Sequence, residues 1–346
     1  MREVRSYERL DLELQLGLVL AVGPNGAGKT NLLEAVHLAT QGFSPRTRAD
    51  AQIVRFGAAA ARIALRGSRA GVGFEAEVTI RPGEGKRAKL NGVALRTAEQ
   101  LRSELPTLVF TPDRLVVVKG SPAARRAYFD RSLARLLPGR APVPIEYAAS
   151  VGQRNAALRR VAARLSPVEA LEPWTAQVAE LGAALVAART EAIAVLDAAF
   201  AGKAAALGLP GGRLLYAGHA ATVEELDSRL SRDLERGSTG VGPHLDDVGI
   251  FSAERDLRSF GSQGEQRVAV LALLLAEADA LGERRGGPPL LLFDDVLSEL
   301  DQTRREALVA LLPAGGQTVM TSTTADALAV EPDQLLVVSP GTVRQG

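Results

Sequence analysis

The run Gly23-Pro24-Asn25-Gly26-Ala27-Gly28-Lys29-Thr30 constrains this chain more than any other stretch. It fits G-x-x-x-x-G-K-[ST] and stands between an apolar segment, Leu18 to Val22, and a segment with helical patterning, Thr30 to Thr40. Glycines let backbone N–H groups converge on phosphate oxygens, and a helix N-terminus adds positive potential at the same point. In a loop of this kind the lysine reaches the β- and γ-phosphates and the hydroxyl binds Mg²⁺. The spacing therefore predicts a phosphate site formed by Gly23, Pro24, Asn25, Gly26, Ala27, Gly28, Lys29, Thr30 and Asn31, with Thr30 as a metal ligand.

The flanking patterns set the fold class. Leu10 to Leu16 alternates strictly, the period of a half-buried strand, and Leu18 to Val22 suits a fully buried one. Residues 61–118 read as a β-rich lobe with an Asn91-Gly92 turn, including strands at Thr107 to Phe110 and Leu115 to Val118. Ser121-Pro122 marks a helix start. From Pro144 to Ala201 the chain is rich in Ala, Leu and Arg and reads as helical, with interruptions near Ser166-Pro167 and Glu172-Pro173. Leu209-Pro210-Gly211-Gly212 is a linker. The last third runs helix (Gln263 to Glu283), strand (Pro289 to Phe293), helix (Asp301 to Leu312), strand (Thr318 to Thr321), which continues a parallel sheet. The expected architecture is α/β, with a discontinuous head from 1–120 and 205–346 that contains the β-rich subdomain, and an inserted helical arm at 121–204.

Several functions are excluded at this level. There is no cysteine, so thiolate metal sites and cysteine nucleophiles are absent, and three histidines far apart in sequence argue against zinc. The most apolar long region, about residues 176–200, carries Glu180, Arg189, Glu191 and Asp197, which do not suit a membrane span. The N-terminus lacks the apolar core of a secretory signal, and the cytoplasm is the expected location. The formal net charge is +1, yet Arg114 to Arg164 holds eleven Lys/Arg against Asp130 and Glu146, a segment of about +9. Local basic surface is what binding to a phosphate backbone requires, although a solvated helical face is the bland alternative. Aromatics are only 4% of the chain and are not interleaved with the basic residues, so base stacking is not indicated.

A second group of motifs lies downstream. Pro288 to Phe293 ends in Asp294-Asp295, followed by Ser298-Glu299-Leu300-Asp301. Upstream, Ser262-Gln263-Gly264-Glu265-Gln266-Arg267 precedes a long helical pattern. In this order the motifs resemble the ABC ATPase set. That resemblance implies ATP as the nucleotide, Asp294 as a Mg²⁺ residue, and Asp295 at the place of the catalytic glutamate. It also makes Ser262, Gly264 and Glu265 a signature motif addressing the γ-phosphate bound to a second copy. Lys29, Ser262 and Asp295 would carry the catalysis.

Further blocks narrow the match. They are Lys29-Thr30-Asn31-Leu32-Leu33-Glu34-Ala35, Ser44-Pro45-Arg46-Thr47, Lys119-Gly120-Ser121-Pro122-Ala123-Ala124-Arg125-Arg126, Gln153-Arg154-Asn155, and Gly237-Ser238-Thr239-Gly240-Val241-Gly242-Pro243-His244-Leu245-Asp246-Asp247. With them the chain resembles the RecF family of ABC/SMC-type ATPases over nearly its whole length. The resemblance implies an ATP-driven homodimer that binds duplex DNA or a duplex–single-strand junction and acts with RecO and RecR to load RecA. Slow hydrolysis, with aspartate in place of glutamate, would release it. Arg125, Arg126, Arg154, Arg159 and Arg160 are the expected phosphate-backbone contacts. The chain departs from the family at Arg5-Ser6-Tyr7-Glu8-Arg9 and at Leu245, where arginine is usual. Thr321 to Thr324 occupies the region of the transporter switch histidine, and no Q-loop glutamine is evident, with Asp113 near its place. The motif set alone also suits an ABC transporter subunit, and a nucleotide-dependent protein scaffold is a further alternative.

Overall fold

A computed structural model describes residues 1–346 apart from Arg48, Ala70 and Ala329, and the side chains of Ala98 and Glu99. The chain divides into two compact units. The first comprises Met1–Arg114, Lys203–Leu209 and Gln263–Gly346; the second comprises Leu115–Gly202 and Pro210–Ser262. Residues 210–262 therefore belong with the helices of the second unit, not with the head as the linker signal suggested.

The first unit contains two six-stranded sheets. In one, the strands run in the order Thr342–Gln345, Gln334–Ser339, Gly17–Val22, Gln317–Ser322, Leu290–Phe293 and Thr107–Phe110. All neighbours are parallel except the Thr342–Gln345 edge. Parallel strands are covered on both faces, and Gly17–Val22 is accordingly a continuous apolar run, almost entirely buried. The other sheet is antiparallel and orders Tyr7–Arg9, Arg2–Val4, Ala61–Arg69, Val72–Arg81, Gly85–Leu90 and Val93–Ala94.

The helix Lys29–Gln41 packs between these sheets. Its Leu32, Leu33 and Val36 join Val19, Ala21, Leu292 and Val319, while Ala35, Leu38 and Ala39 join Ile63, Ala76, Val78 and Ile80. A helix enclosed on opposite faces has to be apolar nearly all round, which explains its weak polar face. The helix Gln263–Arg285 also buries a long run, from Val268 to Ala276.

Three local expectations are corrected. Leu10 to Leu14 keeps its alternating burial, Leu16 is exposed, and the segment is not a ladder strand. Its backbone is met by glutamine side chains: Gln334 Nε2 donates to Glu13 O at 3.0 Å, and Gln317 Nε2 to Gln15 O at 2.7 Å. Leu115 to Val118 is helical, split between the turns Pro112–Leu115 and Val116–Lys119, because Pro112 favours a helical start over a strand. Thr107–Phe110 is a strand, but it pairs with Leu290–Phe293 in the parallel sheet and is not part of the β-lobe.

In the second unit, the helices Pro122–Leu136 and Val143–Ala162 pack with the long Glu172–Ala206 helix, whose last residues fall in the first unit. Ser121 caps the first of these through its side chain, with Pro122 following. Glu172-Pro173 opens the long helix and does not interrupt it. A small antiparallel sheet orders Arg255–Asp256, Val248–Ser252 and Gly212–Tyr216.

Candidate functional site

The loop from Gly23 to Gly28 leaves the buried strand Gly17–Val22 and enters the helix at Lys29. Two of its glycines are required by geometry. A Cβ on Gly23 would lie 2.3 Å from the Val338 carbonyl oxygen. Gly28 caps the helix at φ 110°, and a Cβ there would sit 2.9 Å from the Tyr7 hydroxyl. That hydroxyl donates to Gly28 O at 3.1 Å, and burial pushes the Tyr7 phenol up to about 12. Lys29 is buried and folds back across the loop, donating to Gly23 O at 2.6 Å and Pro24 O at 3.0 Å. Its ammonium is thus held in the concavity of the loop, where phosphate charge would compete for it.

Parallel register brings the second motif to the same place. Leu290–Phe293 is separated from Gly17–Val22 only by Gln317–Ser322 and runs parallel to both, so Asp294 emerges beside the phosphate loop. Thr30 Oγ1 donates to Asp294 Oδ1 at 2.9 Å, and Thr321 Oγ1 donates to the same oxygen at 2.9 Å. Asp294 is buried, and that burial raises its carboxyl above the ordinary carboxylate range despite the two hydroxyls. Asp295 adopts the left-handed conformation, φ 50°, and its N–H donates to Thr321 Oγ1 at 2.9 Å. Its Oδ1 is buried without a protein hydrogen-bond partner among the described residues.

These features fit a Mg²⁺ ion. A hydroxyl and a carboxylate side by side are hard oxygen donors, and a buried carboxylate with a raised pKa gains from a nearby cation. Among the described residues no group of three or more His, Cys, Asp or Glu could hold a metal alone. A cation at Thr30 and Asp294 would therefore complete its shell with phosphate oxygens and water, as Mg²⁺ does in nucleotide sites.

Beside the loop lies a polar network that, apart from Asn31, sequence reading did not assign to the site. Glu34 is buried; Arg5 grips it with two bonds of 2.8 Å, and the Ser44 hydroxyl donates to it. Burial pushes the Glu34 carboxyl up, but the Arg5 and Ser44 bonds outweigh it and hold the group below its usual range. Arg46 donates to Asn31 Oδ1 at 3.2 Å. A cleft of about 700 Å³ opens here, lined by Arg5, Ser6, Asn31, Arg46, Gln52 and the exposed Phe56. The Ser44 to Thr47 block and Arg5-Ser6-Tyr7 were visible in the sequence, but nothing in their local pattern linked them to Glu34.

Ser262 is exposed and directly precedes the helix Gln263–Arg285, while Gly264 and Glu265 lie half-buried in its first turn. Arg267 forms an ion pair with Glu299, joining that first turn to the Ser298–Asp301 segment. Asp301 caps the helix Gln302–Ala310, accepting from Arg304 N at 2.9 Å.

The five arginines expected on DNA divide, and two are corrected. Arg154 is wholly buried and pairs with Asp233 at 2.8 Å. Arg125 is buried, with its guanidinium spread over Asp247, Val118 O and Gly120 O. Neither can reach a phosphate, because each is spent on anchoring the loops of its own unit. Arg126 is half-buried and donates to Asp246 O. Arg159 and Arg160 are exposed on the last turn of Val143–Ala162. The Gly237–Asp247 block is likewise internally tied: Tyr147 OH donates to His244 Nδ1 at 2.8 Å, and His244 Nε2 donates to Thr239 O at 3.0 Å.

Comparison with known proteins gives one consistent answer. Residues 1–341 match the RecF/RecN/SMC N terminal domain family. The chain is 35% identical to the DNA replication and repair protein RecF of Heliobacterium modesticaldum, covering 96% of this chain and 92% of that protein. A solved structure of the recombination mediator protein RecF with ATP, from the RecFOR pathway, superposes with a TM-score of 0.87 at 28% identity, over 100% of this chain and 95% of that one. An SMC head bound to the C-winged helix domain of ScpA shares the fold alone, with a TM-score of 0.61 at 16% identity over 100% and 94% of the two chains. No helix among the described residues is long and apolar enough to cross a membrane.

Proposed function

This chain belongs to the RecF family within the RecF/RecN/SMC N-terminal domain group, and from that membership we propose that it is a two-copy ATP clamp on DNA. It is an ABC/SMC-class ATPase with an ABC-type α/β head. The observation that carries the nucleotide reading is the meeting of Thr30 and Asp294 at 2.9 Å beside a phosphate loop whose lysine is already folded inward.

In this reading the loop N–H groups and Lys29 take the phosphates, displacing the Gly23 and Pro24 carbonyls from the ammonium. The nucleoside leaves past Asn31 into the cleft lined by Arg5, Arg46 and Phe56. Mg²⁺, held by Thr30 and Asp294, would neutralise charge on the β- and γ-phosphates. Asp295 offers its buried Oδ1 as the acceptor that orients the attacking water. Aspartate is one methylene shorter than glutamate, which supports slow turnover and a timed clamp. Ser262 and Gly264 of a second copy address the γ-phosphate, so ATP forms part of the dimer interface and its hydrolysis removes that contribution.

DNA recognition falls to the exposed basic residues, among them Arg159 and Arg160 with a lesser share from Arg126, acting on the backbone of duplex or junction DNA with little sequence preference. Family membership supports work with RecO and RecR toward RecA loading, in the cytoplasm. Sedimentation with ATP, ADP or no nucleotide, with and without DNA, tests the core of the proposal. ATP should shift wild type to a dimer, and neither Lys29→Met nor Ser262→Arg should follow. A wild-type protein that stays single at saturating ATP and Mg²⁺ refutes the clamp.

A further inference from the structure

Strand register puts Thr321 against both aspartates of the site. Leu291, Leu292 and Phe293 pair in parallel with Thr318, Val319 and Met320, so the residues that follow lie side by side: Asp294 just past the end of its strand, and Thr321 still inside Gln317–Ser322, paired with Ala21. Thr321 is wholly buried. Its hydroxyl donates to Asp294 Oδ1 at 2.9 Å and accepts the Asp295 N–H at 2.9 Å. A hydroxyl has one proton to give, and here it is given to the first aspartate while a lone pair holds the second.

Asp294 Oδ1 has a second donor, Thr30, but the two supports differ in kind. Thr30 is in the first turn of the helix that follows the phosphate loop and is itself an expected metal ligand, whereas Thr321 sits in a sheet interior, paired along its strand and outside the loop. Asp295 also needs a tether, since a non-glycine residue at φ 50° is held there only by its surroundings. We propose that Thr321 is the positioning residue of this ATPase centre: it fixes the Asp294 carboxylate for the metal and the Asp295 backbone for the water-orienting group, through one hydroxyl. Because that hydroxyl is committed to both aspartates, its role is support and not contact with the γ-phosphate. The inference rests on the nucleotide reading above.

The test compares wild type with Thr321→Val, which keeps the branched shape without the hydroxyl, and Thr321→Ser, which keeps the hydroxyl. A fluorescent ATP analogue is titrated with and without Mg²⁺, and the Mg²⁺ concentration for half-maximal hydrolysis is measured alongside. In Thr321→Val that concentration should rise about tenfold or more, the usual effect of removing a group that orients a metal ligand. Its affinity for the analogue without Mg²⁺ should stay within about twofold of wild type, and Thr321→Ser should track wild type in both measurements. Thermal melting confirms that each variant folds; Thr321→Ala, with the same expectation, replaces a valine variant that does not melt cooperatively. An unchanged Mg²⁺ requirement in the folded valine variant overturns the inference. So does equal damage in the serine variant, or an equal loss of affinity with and without Mg²⁺. Wild type that binds no nucleotide at any Mg²⁺ concentration overturns the nucleotide reading as well, and is distinguished by failing before any variant is compared.

Discussion

Arg154 and Asp233 meet at 2.8 Å with side-chain exposures of 0% and 2%. The guanidinium also donates to the hydroxyls of Thr175 and Thr239, and Asp233 accepts from Gly240 N at 3.0 Å. Removing one member of such a pair strands a buried charge, which costs far more than the intact pair contributes. Arg154→Ala should therefore lower unfolding stability by about 3–5 kcal/mol, read by urea denaturation. In the fraction that stays folded, the salt dependence of DNA binding should not change, since no phosphate contact is lost.

Arg159 and Arg160 should behave in the opposite way. Both are exposed, so Arg159→Ala and Arg160→Ala should leave stability within about 0.5 kcal/mol of wild type. Each true phosphate contact removed should reduce the slope of log K against log salt by about one. Fluorescence anisotropy on duplex DNA over a salt series measures it. An unchanged slope in the double variant would move DNA binding elsewhere and favour a scaffold role for the arm.

Asp295→Asn separates holding ATP from hydrolysing it. Asparagine tolerates the left-handed backbone, so the variant should fold, but it is a poorer acceptor for the attacking water. Phosphate release should fall by about 10²-fold or more, while ATP-dependent dimerisation persists in sedimentation.

Glu34 gives a pH signature to the loop's support. Its folded carboxyl titrates below the unfolded value because Arg5 and Ser44 favour the charged form over the burial that opposes it. The unfolded chain therefore binds the proton first, and stability from this group is complete above the ordinary value of about 4.3. It is lost as pH falls through the depressed folded value. Urea unfolding across the acidic range should show this loss in wild type and a shallower one in Glu34→Gln, which starts from lower stability.

Much of the site was legible because its motifs depend on short-range chemistry. The phosphate loop follows from residue type and spacing, while Asp294 at the end of an apolar strand and Ser262 before a helix were singled out by their resemblance to the ABC ATPase motifs. What could not be read was the environment of charged side chains. Arg125, Arg154, Arg159 and Arg160 belong to one basic stretch with similar local patterns, yet only packing with Asp247 and Asp233, far along the chain, decides which are buried. The same limit hid Glu34, whose partners Arg5 and Ser44 approach from both sequence directions. Leu10 to Leu16 failed for another reason: periodicity reports burial, and an extended segment held by glutamine amides alternates as a strand does. Residues 210–262 were misplaced because the proline-glycine linker marks a turn without saying what the chain rejoins.

The phosphate loop's own strand, Gly17–Val22, is made long before either of its neighbours, Gln317–Ser322 and Gln334–Ser339. Until those two segments leave the ribosome, that strand has bare edges on each side, and Asp294 lacks the neighbouring strand that carries Thr321. The second unit is complete long before, since its chain ends at Ser262. A nascent chain can thus have its whole second unit made before the nucleotide site exists, and a product that stops short of Gln317 would carry no nucleotide pocket.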